Sequence, residues 1–500
     1  MKIKFLSVIA SFFIVSLVIT SCLDNDDNIE YSPDATIRAF VLDTIGYGVT
    51  YPFTIDQLKG EIYNEDSLPV RADTIINRIL IKTLTTSSGI VTVKDQNGND
   101  SILSLSDSID LSKTINKGAP LVLKVWAPDM QQTKEYKLWV NIHKHDPDSV
   151  SWKYMNTNPS ILNNESLKSV ILKGKIITYS GSTSLKVHTA PLNNPTAWST
   201  SAMGSDWPSG QPLTSVINFK ETLYATSGDN HAFKSSDGIN WVAASFPAAN
   251  GDGSVVDLFL AAYDNKILYS RIAGEARTFY STGSDTETGN KISVDSDDLD
   301  KFPVKNISYT LHKTSSGMRG VMLVGEPKEP TTIEGSNSTK INTTETWAYM
   351  EGASGWINLP AGSINSYCPE LKNPTILYYN DLFYLFGEGF SGFYKSNSGR
   401  DWKLATKFNF PQLDWSKSGA NHTITTPEFR GRTNYAMVSD TLTHNLIFMF
   451  SAGVATFTEK VTVAESTKET TDVTRTYNYS SEVWSGRLNQ LWFDLANSGK

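Results

Sequence analysis

Ile217-Asn218-Phe219-Lys220-Glu221-Thr222-Leu223-Tyr224-Ala225, followed by Phe233-Lys234-Ser235-Ser236-Asp237-Gly238-Ile239-Asn240-Trp241, decides the fold, because it recurs. The second copy is Leu377-Tyr378-Tyr379-Asn380-Asp381-Leu382-Phe383-Tyr384-Leu385, followed by Tyr394-Lys395-Ser396-Asn397-Ser398-Gly399-Arg400-Asp401-Trp402. Each reads as strand, tight polar turn, strand, third strand, turn, and a fourth strand led by Trp. Two motifs in the same order at nearly the same spacing mark an internal repeat.

Weaker copies fill the region after His145-Asp146-Pro147-Asp148. They run from Val170 to Trp198, from Leu258 to Phe302-Pro303, from Val321 to Trp356, and from Tyr435 to Trp484 or Trp492. Four-strand units recurring at roughly 40 to 60 residues predict a β-propeller of six blades, with seven as the alternative count. Ser151-Trp152-Lys153-Tyr154 through Pro159 is built like the ends of these units yet precedes the first of them. It is therefore expected to form the outer strand of the last blade, paired near residues 480–495. Long polar insertions at Pro327–Thr346 and about Glu459–Thr476 fall between the second and third strands of their units. Both open on one face, where binding sites of rigid scaffolds usually lie.

The Ser235, Asp237, Gly238 and Trp241 set resembles the Asp-box of sialidase-like propellers with one spacer residue fewer; Arg430–Trp492 resembles a kelch blade. The resemblance implies a structural role for that set and for Ser396, Ser398, Gly399 and Trp402. The carboxylate caps turn amides, Gly takes the left-handed conformation, and Trp packs between blades. A sialidase would further need three arginines on a carboxylate and a Tyr–Glu pair. The first unit has Lys173 and Lys175 where an early Arg belongs, and the remaining arginines are scattered.

Residues 34–146 carry period-two patterning. Ile37, Ala39 and Val41 are expected on one face, as are Leu121, Leu123 and Val125, and Tyr136, Leu138, Val140 and Ile142. About seven short strands punctuated by Gly, Asn and Pro predict an immunoglobulin-like β-sandwich. Asp95-Gln96-Asn97-Gly98-Asn99-Asp100 lacks the spacing and terminal Glu of a calcium loop and reads as a hairpin turn.

The N-terminus begins with Lys2 and Lys4, continues through an apolar core to Ile19, and reaches Thr20-Ser21-Cys22. This is the form of a secretory leader, too short for a spanning helix. It resembles the lipobox of bacterial lipoproteins, which implies acylation of Cys22 and attachment to the membrane through that lipid. Asp24, Asp26 and Asp27 behind it resemble the surface-export signal of Bacteroidota lipoproteins. Cys368 is the only other cysteine, so no intramolecular disulfide is expected, and it reads as a small buried hydrophobe.

A net charge of −8 on an exported chain excludes nucleic acid as a partner class. No phosphate loop, nucleotide fingerprint, serine elbow or metal-ligand spacing of histidines occurs, so no cofactor, metal or catalytic residue is assigned. Trp207, in Asp206-Trp207-Pro208, and Trp347 and Tyr349, beside the first insertion, are candidate sugar-stacking aromatics. The expected organisation is a leader (1–21), an acidic tether (22–33), a sandwich (34–146) and a propeller (149–500). The whole resembles uncharacterised two-domain propeller lipoproteins of Bacteroidota. The expected function is binding of a glycan or an outer-membrane protein partner at the cell surface, through the insertion face. The alternatives are a glycan-active hydrolase or lyase using channel carboxylates, and a scaffold subunit of an outer-membrane complex.

Overall fold

A computed structural model describes residues 31–45, 50–70, 72–94, 98–144, 149–155, 159, 165–248, 251–314, 316–335, 338–412, 428–464 and 469–489. The leader, Cys22, most of the acidic tether, residues 95–97 of the Asp95 turn and Trp492 lie outside these. The chain divides into two compact units, one up to about residue 146 and one from 147 to 490. Both are built from strands, and no helix among the described residues is long and apolar enough to cross a membrane.

The first unit holds a six-stranded sheet in the order Phe53–Asp56, Glu61–Asn64, Thr133–Trp139, Leu121–Trp126, Val91–Lys94, Asp100–Ile102. All its ladders are antiparallel except the second with the third. A separate ladder pairs Ile37–Leu42 with Ile81–Thr86. Ile37, Phe40, Leu42 and Ile81 from that ladder share one core with Ile62, Leu123, Val125, Tyr136 and Leu138. Alternation holds through Tyr136, Leu138, Val140 and Ile142, all buried. It fails in the first strand, where Phe40 and Leu42 point inward in place of Ala39 and Val41. The cause is a register shift between Ile37 and Ala39, since one slipped residue turns every later side chain to the other face.

Among the described residues, the second unit holds two two-stranded hairpins and six four-stranded antiparallel sheets. Their first strands are Leu167–Leu172, Leu213–Phe219, Val255–Tyr263, Lys305–Lys313, Thr375–Tyr379 and Tyr435–Asp440. In the first five sheets all four strands are consecutive in a unit, with a hairpin inserted in the fourth. The sixth takes its outer strand from the start of the unit: Ser149–Tyr154 pairs with Glu482–Asn489, Trp484 opposite Tyr154 and Asn489 opposite Ser149. Trp152 anchors that strand, its ring 5.0 Å from Phe429 and 5.4 Å from Phe448. Gly486 makes room for it, since a Cβ there would lie 2.7 Å from the indole.

Local chemistry explains the turns. Lys220-Glu221 and Asn380-Asp381 form two-residue turns with both φ values positive, the twist that matches a hairpin. In the third-to-fourth-strand turn of the second sheet, Asp237 Oδ1 accepts the amides of Ile239 and Asn240, each at 2.8 Å. Ser235 Oγ accepts the Gly238 amide at 2.8 Å. In the fifth sheet Ser396 takes the Gly399 amide at 2.9 Å, and Ser398 takes that of Arg400 at 3.2 Å. Both glycines have φ near 80° and press on the preceding sheet, Gly238 on Ile177 and Gly399 on Met322. Trp241 and Trp402 are buried in the resulting intersheet cores.

Candidate functional site

The first strands of all six sheets line one cavity of about 480 Å³. That lies within the range of small-ligand pockets. Its wall is rich in hydroxyls, among them Ser169, Thr214, Ser308, Thr310, Thr375 and Ser439. Ser308 Oγ and Thr310 Oγ1 accept the amides of Ile376 and Tyr378, which fixes the fourth and fifth sheets side by side. Lys168 is the one charged side chain among the residues lining the wall.

At one end of this cavity the entries of the first strands carry three asparagines in the left-handed conformation: Asn306, Asn373 and Asn434, with φ values of 50°, 46° and 52°. Asparagine tolerates that region because its short polar side chain bonds locally. Two glutamates face them, Glu326 at the end of one second strand and Glu388 two residues past the end of the next unit's second strand. Glu326 Oε1 accepts the Asn306 side-chain amide and the Asn373 backbone amide, both at 2.7 Å, while Oε2 pairs with Lys305 at 3.2 Å. Glu388 Oε1 accepts the Asn434 backbone amide at 2.9 Å and the Asn373 side chain at 3.4 Å. One asparagine thus bridges both carboxylates. Lys168 completes the group by donating from Nζ to Asn306 Oδ1 at 2.7 Å.

These environments separate the charges. Burial alone would raise Glu326, but the Asn306 and Asn373 donors and Lys305 outweigh it and hold the carboxyl below its ordinary range. Burial pushes Glu388 up, the Glu326 charge adds to the rise, and the Asn434 and Asn373 bonds only partly oppose it. Burial also lowers the Lys168 ammonium to about 8, against the attraction of Glu326 and Glu388. Glu326 is saturated by its partners. Glu388 Oε2 accepts no hydrogen bond among the described residues.

The insertions stand on this side, since each follows a second strand. The first is a hairpin, Thr331–Glu334 with Lys340–Thr343, and it starts just after Glu326. Asn342 holds Glu370 at 2.8 Å and so props the segment leading to Asn373. The second is longer than expected, Gly453–Ala464 with Glu469–Tyr479. An ionic group roots it: Glu459 pairs with Arg430 at 2.9 Å and Arg475 at 2.6 Å, and buried Arg432 pairs with Glu482 at 2.7 Å.

The three aromatics expected to stack on sugars are placed elsewhere. Trp207 wedges against Phe233 and Trp241, with centroids at 4.9 and 5.5 Å, and its indole donates to the Gln211 carbonyl. Trp347 and Tyr349 lie in the core between the third and fourth sheets. All three are buried and present no ring face to a ligand. Cys22 lies outside the described residues. Ser235, Asp237, Gly238, Trp241, Ser396, Ser398, Gly399 and Trp402 sit in the turns and intersheet packing described above. Cys368 is fully buried, and burial raises its thiol. Among the described residues the arginines do not converge into a free triad: Arg271 is bound to Ser254 and the Phe246 carbonyl, and Arg319 to Asp264 and Glu351. No cluster of three metal-ligating side chains occurs among the described residues. His188 is enclosed by Ser180 and Thr200.

Lys168, Glu326 and Glu388 were not singled out by the sequence reading. A signal was present: Gly325-Glu326 ends a second strand and Gly387-Glu388 directly follows one, in two successive units. At Gly387 a Cβ would meet the Lys372 carbonyl at 2.7 Å, so the bare backbone permits the close approach to the neighbouring strand entry.

Residues 146–496 match the family model of the DUF6242 beta propeller domain, and residues 23–140 match that of the DUF6242 N-terminal domain, a domain of unknown function. No protein with curated annotation matches the chain. Similar solved structures include an α-L-arabinanase of Penicillium chrysogenum complexed with arabinobiose, at 11% identity and TM-score 0.40, covering 69% of this chain and 100% of that one. An α-L-arabinofuranosidase of Fusarium graminearum, in complex with an iminosugar inhibitor, shows 11% identity and TM-score 0.38, covering 68% and 98%. YCF48 of Cyanidioschyzon merolae shows 9% identity and TM-score 0.34, covering 67% and 98%.

Proposed function

This chain belongs to the DUF6242 family, and on that footing we propose that its propeller is a carbohydrate-binding device whose ligand enters the central cavity from the insertion face. The observation that carries this reading is Lys168, set within the attraction of Glu388, at one end of a hydroxyl-lined cavity of about 480 Å³. A sugar hydroxyl is both donor and acceptor. An ammonium beside a carboxylate satisfies both at once, and wall hydroxyls serve the rest of the ring. Binding is favoured over hydrolysis because glycosidases use two available carboxyl groups. Here Glu326 is held by three donors, and one carboxylate remains.

The wider design is part of the proposal. Six blades form the propeller (149–500), and pairing of the Ser149–Tyr154 strand with Glu482–Asn489 supports closure of the ring. An immunoglobulin-like sandwich (34–146) serves as spacer, preceded by an acidic tether (22–33) and a leader (1–21). Lipidated Cys22 anchors the chain to the outer membrane of a Bacteroidota cell, exposed at the surface. The lipobox-like Thr20-Ser21-Cys22 and the acidic residues behind it support that address.

The test is a glycan array probed with the purified full-length protein and with a Lys168→Met/Glu388→Gln variant of unchanged circular dichroism. Binding to a saccharide class by the wild type, lost in the variant, is the expected result. Silence across the array, or binding that survives the double substitution, removes the cavity reading. A stable outer-membrane partner recovered in its place would favour the scaffold alternative.

A further inference from the structure

We infer that the saccharide bound at this mouth is anionic, carrying a hexuronate carboxylate or a sulfate ester that pairs with the Lys168 ammonium. This rests on the carbohydrate-binding reading and adds the charge of the ligand.

Lys168 reaches its position from the second residue of the first sheet's inner strand, and its amine meets the fourth sheet at Asn306. The bond to Asn306 Oδ1 uses one of three ammonium donors, and the acceptor is neutral. No carboxylate among the described residues lies within 4 Å of Nζ, whereas other partly buried cations there are paired directly, Lys234 with Asp285 at 2.7 Å and Arg277 with Asp257 at 2.7 Å. A half-buried cation without a direct counter-charge is costly, and proteins normally pair or neutralise such groups. The two nearest acids do not supply the pairing. Glu326 is committed to Asn306, the Asn373 amide and Lys305. Glu388 is committed through Oε1 to Asn434 and Asn373, and burial raises its carboxyl above the ordinary range.

A bound oxyanion would take the two remaining ammonium donors and supply the missing charge, while Glu388 Oε2 accepted from a neighbouring sugar hydroxyl. The asparagines around Lys168 fit that role as well, since none of them brings a charge of its own. A neutral sugar would leave the ammonium with only the more distant charges of Glu326 and Glu388. The overall negative charge of the chain does not oppose this, because salt screens distant surface charges beyond about 8 Å.

The experiment is calorimetric titration of the full-length protein with oligogalacturonate, oligoglucuronate and oligomannuronate, each beside its carboxyl-reduced neutral counterpart. A 6-sulfated galactan and its desulfated form make a second arm that separates carboxylate from sulfate. At least one anionic ligand is expected to bind tenfold or more tighter than its neutral counterpart. Lys168→Met should bring that ratio within about twofold. Equal or tighter binding of the neutral counterparts overturns the inference and leaves carbohydrate binding standing. The same holds for a preference that survives Lys168→Met. Failure of every saccharide, charged and neutral, overturns both.

Discussion

Lys168 Nζ and Asn306 Oδ1 lie 2.7 Å apart although they belong to sheets three positions removed in the order around the cavity, and 138 residues apart in the chain. The lysine stem therefore lies across the cavity mouth. A group placed there senses whatever occupies the mouth, and its protonation should be read out in binding.

Affinity for an anionic saccharide is expected to be flat below pH 8 and to fall above it by up to about tenfold per pH unit. The sign follows from the ammonium, lowered by burial to about 8 in the free protein. Below that pH the charged form is already present, and above it a proton must be taken up on binding. An ordinary exposed lysine would hold affinity to about pH 10. Calorimetry across pH 6 to 10, with the neutral counterpart as control, checks it.

The repeat turns give a second prediction. Hydrogen bonds from the Asn240 and Ile239 amides bring Asp237 down to about 2, although burial opposes them. A depressed carboxyl stabilises the fold above its unfolded pKa, near 4, and that share is lost as pH falls through 2. Asp237→Ser should cost about 1 kcal/mol at pH 7, discounted for its exposure, with the difference from wild type shrinking between pH 4 and 2. Ser398→Asp, the reciprocal change, should stabilise by about 0.5 kcal/mol. Urea unfolding at several pH values decides both.

Lys220 and Glu221 both sit in the left-handed region, with φ of 51° and 58°. Neither side chain suits it. Lys220→Asn with Glu221→Gly should raise stability by about 1 to 2 kcal/mol, seen as a higher urea midpoint with an unchanged slope.

The root of the long hairpin depends on a buried pair. Arg432 bonds Glu482 at 2.7 Å, and its guanidinium lies 4.6 Å from the centre of the Tyr479 ring. Arg432→Leu should cost about 3 to 5 kcal/mol, because Glu482 is then buried without a counter-charge, with only the Trp484 indole donating to it. Adding Glu482→Leu should restore part of that loss. A double-mutant cycle by chemical denaturation measures the recovery.

Much of the fold was legible because its signals are local. The paired turns at Lys220-Glu221 and Asn380-Asp381, the Ser-x-Ser/Asp-Gly turns and the stray Trp152 segment each report their own geometry. Burial of Trp207, Trp347 and Tyr349 was not legible, since a loop or insertion neighbour suggests solvent until sheets close over the ring. Phe40 defeated the alternation rule through a bulge that leaves no mark in composition. The site divides the same way. Gly325-Glu326 and Gly387-Glu388 form a readable pair, whereas Lys168 looks like any strand lysine until the fourth sheet is brought opposite it.

The most direct measurement is a crystal structure of the full-length protein with a saccharide from the array or the titration series. The expected result is density for the sugar within the cavity, with one polar group on Lys168 Nζ and a hydroxyl on Glu388 Oε2. A saccharide held instead on the outer face of the Gly453–Tyr479 hairpin, with the cavity free of it, would contradict the central claim.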